Sequence, residues 1–135
     1  MNRIDEAVRL FENGHLCSQA VLSVFCEEFG LSKSDAFKIG ACFGSGMRQA
    51  EVCGACTGAL MALGLKYGED KEKSNEACVR FLDEFKKENP EYWFFYSNEI
   101  IKIKNYQNYL WPCIYREWQK LSVILIIKNV AIRRI

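Results

Sequence analysis

Over the first ninety positions apolar residues recur at the three-to-four spacing of a helix, not at the alternation of a strand. Ile4, Ala7, Val8, Leu10 and Phe11 predict a helix over 2–13, stopped by Asn13-Gly14. Leu16, Ala20, Val21, Val24, Phe25 and Phe29 share one broad face of a second helix over 16–29, with Gly30 as its C-terminal stop. Ser32, followed three residues on by Asp35, opens a shorter third helix through Ala36, Phe37, Ile39 and Ala41, in the manner of a capping box with the shorter acid. A fourth helix runs from about Glu51 to Lys66 and stops at Gly68. A fifth spans about Lys71 to Lys87 and ends before Asn89-Pro90, with Ala77, Cys78, Phe81, Leu82 and Phe85 as its apolar stripe. The fold class these elements predict is all-α, a compact bundle of about five helices followed by a poorly defined C-terminal segment.

The glycines qualify this picture. Phe43-Gly44-Ser45-Gly46-Met47 predicts a tight loop between the third and fourth helices. It lacks the lysine and spacing of a phosphate-binding loop, and no strand precedes it. Gly54, Gly58 and Gly64 fall inside the fourth helix, where each costs about 1 kcal/mol relative to alanine. Gly54 and Gly58 lie four apart on one face, so a neighbouring helix or a ligand is expected close to the backbone there.

After Pro90 the composition changes. Residues 91–135 hold ten of the eighteen aromatics but three of the seventeen acids. Ser122 to Val130 fits a strand or a buried helix equally well. The expected division is therefore a helical core over 1–90 and a divergent or frame-shifted segment over 91–135. Resequencing the gene tests the frame shift, and an intact frame in closely similar genes overturns it.

Eighteen basic side chains against seventeen acidic ones leave a net charge of +1, so nothing global draws the chain to nucleic acid or to an anionic membrane. The longest apolar run, Val123 to Ile127, falls far short of the roughly 20 residues needed to span a bilayer. Met1-Asn2-Arg3-Ile4-Asp5-Glu6 contains no apolar signal core, so a cytoplasmic location is expected. In that setting seven cysteines, an odd number, point to redox chemistry or metal ligation and away from a disulfide framework.

Cys53 and Cys56 form a C-x-x-C, and on a helix residues three apart share a face, so both sulfurs can meet one metal ion or each other. The single histidine is His15 and no second pair exists, so a closed zinc site needs Cys17, Cys42 or Cys113 recruited from elsewhere. For thiol chemistry the thiolate is the nucleophile, and Cys17 and Cys53 both lie near predicted helix N-termini, which favour it. Arg48 adds positive charge near Cys53 and Glu51 opposes it. Cys26 and Cys78 fall beside apolar stripe positions and read as core, while Cys42 is evenly balanced between the two roles. His15 reads as a residue leading into the second helix, and no Ser/His/Asp set assembles, which disfavours hydrolase chemistry.

Cys17-Ser18-Gln19-Ala20-Val21-Leu22, the loop Phe43-Gly44-Ser45-Gly46-Met47, and Cys53-Gly54-Ala55-Cys56-Thr57-Gly58 with the following Ala59-Leu60-Met61-Ala62-Leu63-Gly64-Leu65 together resemble the redox-active protein family named for its C_GCAxxG_C_C pattern. The resemblance spans residues 3–88 and is lost after Pro90. It implies an all-helical domain with a redox or metal-linked role, and carries to two residues, Cys17 and Cys53. Cys56 falls on a variable position of the motif. Beyond the fifth helix, where the family has two later cysteines, only Cys113 is available.

Three readings follow. In the first, a redox-active cysteine protein of oxidoreductase type cycles Cys53 and Cys17 between dithiol and disulfide, or passes electrons, with Cys56 as resolving thiol and a redox protein as partner. In the second, Cys17, Cys53, Cys56 and Cys113 hold an iron–sulfur cluster or a soft metal such as zinc. In the third the cysteines are inert and the domain is a helical interaction module. Exposed aromatics and glycine-mediated packing would also suit homodimerisation.

Overall fold

A computed structural model of the chain describes residues 2–44, 47 and 54–88. Among these residues there are five α-helices and no strand, as the periodicity predicts. Cys53, Cys113 and the segment 91–135 lie outside the described residues.

Helix α1 (Arg3–Glu12) starts where the Asn2 side chain accepts the Asp5 amide at 2.9 Å, and buries Ala7 and Phe11. Gly14, at φ +100°, turns the chain into α2 (Cys17–Ser23). The apolar stripe predicts one helix from 16 to 29; the structure breaks it after Ser23. The Ser23 hydroxyl donates to the Ala20 carbonyl at 3.2 Å and the Cys26 thiol to the Ser23 carbonyl at 3.3 Å. These side chains compete for carbonyls that a continuing helix would use. The Phe25 amide bonds Leu22 instead, and a short 3-10 turn over Cys26–Phe29 follows, closed by Gly30 at φ +80°. Val24, Phe25 and Cys26 stay buried, so the apolar face survives the change of winding.

Helix α3 (Lys33–Gly40) is capped as expected, with the Ser32 hydroxyl accepting the Asp35 amide at 3.1 Å. Helix α4 (Gly54–Tyr67) buries Gly54, Ala55, Cys56, Gly58, Ala59, Ala62 and Leu63. These positions run round most of the helix, the mark of a central element. It packs on α2 on one side and against α5 (Lys71–Glu88) as well. The Asp70 carboxylate caps α5 by accepting the Glu72 and Lys73 amides at 3.0 and 3.1 Å. Of the stripe expected on α5, Phe81 and Phe85 are buried and stacked 6.1 Å apart, while Ala77, Cys78 and Leu82 are half-buried. Helix α2 is the shared neighbour, contacting α1, α3 and α4. Among the described residues no helix is long and apolar enough to cross a membrane.

Candidate functional site

Cys17 is the first residue of α2 and its accessible surface is 0% of the maximum. Its sulfur rests on α4 at Gly54. A Cβ built on Gly54 would overlap Cys17 Sγ, and would stand 3.0 Å from the Phe43 carbonyl oxygen and 3.2 Å from the Ser18 amide nitrogen. One turn further on, a Cβ on Gly58 would come within 2.8 Å of the Ser18 carbonyl oxygen and 3.3 Å of Val21 Cβ. The two glycines thus form a shallow groove in α4 that receives the first turns of α2. The close neighbour expected at Gly54 and Gly58 is a helix, and the Cys17 thiol occupies the room a side chain at 54 would need. Gly64 behaves differently: it is exposed and nothing lies within 4 Å of a Cβ built on it.

The residues after Cys17 hold it there. The Ser18 hydroxyl, fully buried, donates to the Gly40 carbonyl at 2.7 Å. The Gln19 side chain accepts the Leu16 amide at 2.9 Å and donates to the Phe37 carbonyl at 2.8 Å. Phe37 and Gly40 belong to the last turn of α3, whose carbonyls have no partner within their own helix. In the sequence Ser18 and Gln19 are parts of the Cys17 motif with no role of their own. The signal was a serine among apolar positions, since a buried hydroxyl requires a partner.

Cys56 is also buried, but it lies about 200° round α4 from Gly54, and as far the other way from Gly58. It therefore faces away from the groove, and Cys17 and Cys56 are on opposite sides of α4. Cys26 is a core thiol: burial, and next the neighbouring Glu27 carboxylate, push it above its ordinary value of 9.0. Cys78 is half-buried on α5, and Cys42 is exposed in the turn after α3, next to Phe43. His15 stacks on Phe37, ring centroids 4.4 Å apart, in the segment leading into α2. Among the described residues no three His, Cys, Asp or Glu side chains stand close enough to hold a metal ion. Of the four cysteines a metal reading would use, Cys17 and Cys56 are described and point apart, while Cys53 and Cys113 are outside the described residues.

The geometry defines an all-helical domain organised around a buried thiol seated in a glycine groove. A family model described as "Putative redox-active protein (C_GCAxxG_C_C)" matches residues 15–104, which is 90 of the 135 residues. The chain belongs to this redox-active protein family. The match begins just before Cys17, takes in Cys53 through Gly58, and runs to residue 104, so the resemblance starts later than residue 3 and does not end at Pro90 as expected. No curated protein and no solved structure matches the chain.

Proposed function

We propose that the chain exchanges dithiol for disulfide through Cys53 and Cys17. The observation that carries this reading is the seat of the Cys17 sulfur against Gly54, the residue that follows Cys53 in the sequence. The family's redox-active description supports it in general terms. The Cys53 thiolate attacks one sulfur of a partner protein's disulfide; that bond breaks, a mixed disulfide forms, and the departing thiolate takes up a proton. The Cys17 thiolate then attacks the Cys53 sulfur, closes the Cys17–Cys53 bond and releases the partner as a dithiol, so two electrons pass from chain to partner. Cys17 takes the second step because its burial keeps a partner protein from its sulfur. The far side of α4 is a poor place for a thiol that must meet Cys17, so Cys56 is not needed in the exchange.

The test is anaerobic purification, equilibration with a glutathione redox buffer, acid quenching and disulfide mapping. One bond joining Cys17 to Cys53 is expected, kept in Cys56→Ser and lost in Cys17→Ser and in Cys53→Ser. A Cys53–Cys56 bond in its place would overturn the pairing. Metal and labile-sulfide analysis of the same preparation separates the second reading: stoichiometric metal that disappears in Cys53→Ser would replace exchange with a metal centre. Uniformly slow labelling of every thiol in the folded chain would favour inert cysteines.

A further inference from the structure

We infer that Ser18 and Gln19 are positioning residues for the Cys17 thiol, a claim that rests on the exchange reading above and adds to it the groups that set its equilibrium. Cys17 has a held residue on either side. The Leu16 amide before it is bound by the Gln19 side chain, and the Ser18 hydroxyl after it is bound by Gly40. The same Gln19 amide reaches the Phe37 carbonyl, so one side chain ties the start of α2 to itself and to α3. The backbones are close enough for this because position 40 is glycine: a Cβ built there would lie 3.1 Å from the Gln19 nitrogen and 3.2 Å from its Cα.

These bonds also reach Gly54. The Gly40 carbonyl that accepts from Ser18 accepts the Phe43 amide as well, at 3.2 Å, and the Phe43 carbonyl abuts Gly54 beside the Cys17 sulfur. Ser18, Gly40 and Phe43 thus link the start of α2 to the wall of the groove at Gly54, where the thiol sits. A thiol held in one place loses little freedom when it forms a bond, and the equilibrium constant for closing a disulfide rises accordingly. Removing the anchors leaves the thiol chemically unchanged and makes the bond harder to close.

The experiment measures the equilibrium constant for the Cys17–Cys53 disulfide against glutathione in wild type, Ser18→Ala, Gln19→Leu, Gln19→Glu and Ser23→Ala. Ser23→Ala is the control: it deletes another buried serine hydroxyl bonded to a carbonyl in the same helix, at the end away from Cys17. Ser18→Ala and Gln19→Leu are expected to lower the constant about tenfold, the order of the cost of immobilising one side chain that the anchors no longer hold in place. Gln19→Glu, which keeps the acceptor for the Leu16 amide, should fall between Gln19→Leu and wild type, and Ser23→Ala should match wild type. Constants that move no further in Ser18→Ala and Gln19→Leu than in Ser23→Ala would overturn the inference. A wild type that forms no Cys17–Cys53 bond defeats the exchange reading separately. Positioning is then read from Cys17 labelling in the folded chain, where faster labelling in Ser18→Ala and Gln19→Leu than in Ser23→Ala supports it and equal rates overturn it.

Discussion

At Gly54 two effects of opposite sign meet. Alanine would raise helix propensity by at most about 1 kcal/mol, Gly54 being the first described residue of α4, but its Cβ would overlap the Cys17 sulfur and press on the Phe43 carbonyl. The second effect wins, because Cys17 and Phe43 are held by their own hydrogen-bonded backbones and overpacking costs about 1–3 kcal/mol. Gly54→Ala should therefore lower the urea midpoint, and Gly64→Ala, with open space around it, should raise stability by up to about 1 kcal/mol at unchanged m. Adding Cys17→Ala to Gly54→Ala removes the overlapping sulfur, so the double variant should be more stable than the two single losses sum to, by about 1 kcal/mol. Strict additivity would show that the sulfur does not press on position 54. Thiol accessibility gives a second prediction at this scale. Exposed Cys42 should label in the folded state at close to a free-thiol rate, and Cys26 only as the whole domain opens. Labelling of Cys26 ahead of Cys42 in a stopped time course would contradict the burial of Cys26.

Helices α1, α3 and α5 begin at a polar side chain that accepts amides of the first turn, so these caps carry predictions of their own. Ser32→Ala and Asp70→Ala should each cost about 1 kcal/mol in urea unfolding, with little change in the Cys17 environment. Ser32 and Asp35 made the start of α3 legible in the sequence, and Asn13-Gly14 and Gly30 marked stops that the structure keeps. The break after Ser23 was not legible, because the apolar face continues unbroken through Val24, Phe25 and Phe29. The competition for carbonyls by Ser23 and Cys26 leaves no trace in that pattern. At the site, the helix-interior cost of Gly54 and Gly58 was enough to announce a close neighbour. It was not enough to name α2, since no local pattern identifies a partner so far along the chain. Once Gly54 is known to face Cys17, the opposite placement of Cys56 follows from helical geometry alone.

For the molecule as a whole, two groups couple folding to alkaline pH in the same direction. Burial pushes the Cys26 thiol above 9.0, and the Glu6 carboxylate, accepting a hydrogen bond from Lys33 at 2.6 Å, raises the Lys33 ammonium above 10.5. In both cases the unfolded chain releases its proton first as pH rises, so it binds fewer protons than the folded chain and stability falls with increasing pH. Their contributions are fully present below the unfolded values and are lost as pH climbs through the higher folded values. The Cys26 loss begins near pH 9.0 and the Lys33 loss near 10.5. The Lys33–Glu6 pair is partly exposed, so its share is at most about 1 kcal/mol and shrinks with added salt. Unfolding free energies measured across this range in wild type and Cys26→Ala isolate the thiol. The variant is less stable at neutral pH because it leaves a small cavity, but its curve should descend less steeply between pH 9 and 10.5. Parallel curves for the two proteins through that window would mean that Cys26 ionises as readily folded as unfolded, which its burial and its bond to the Ser23 carbonyl oppose.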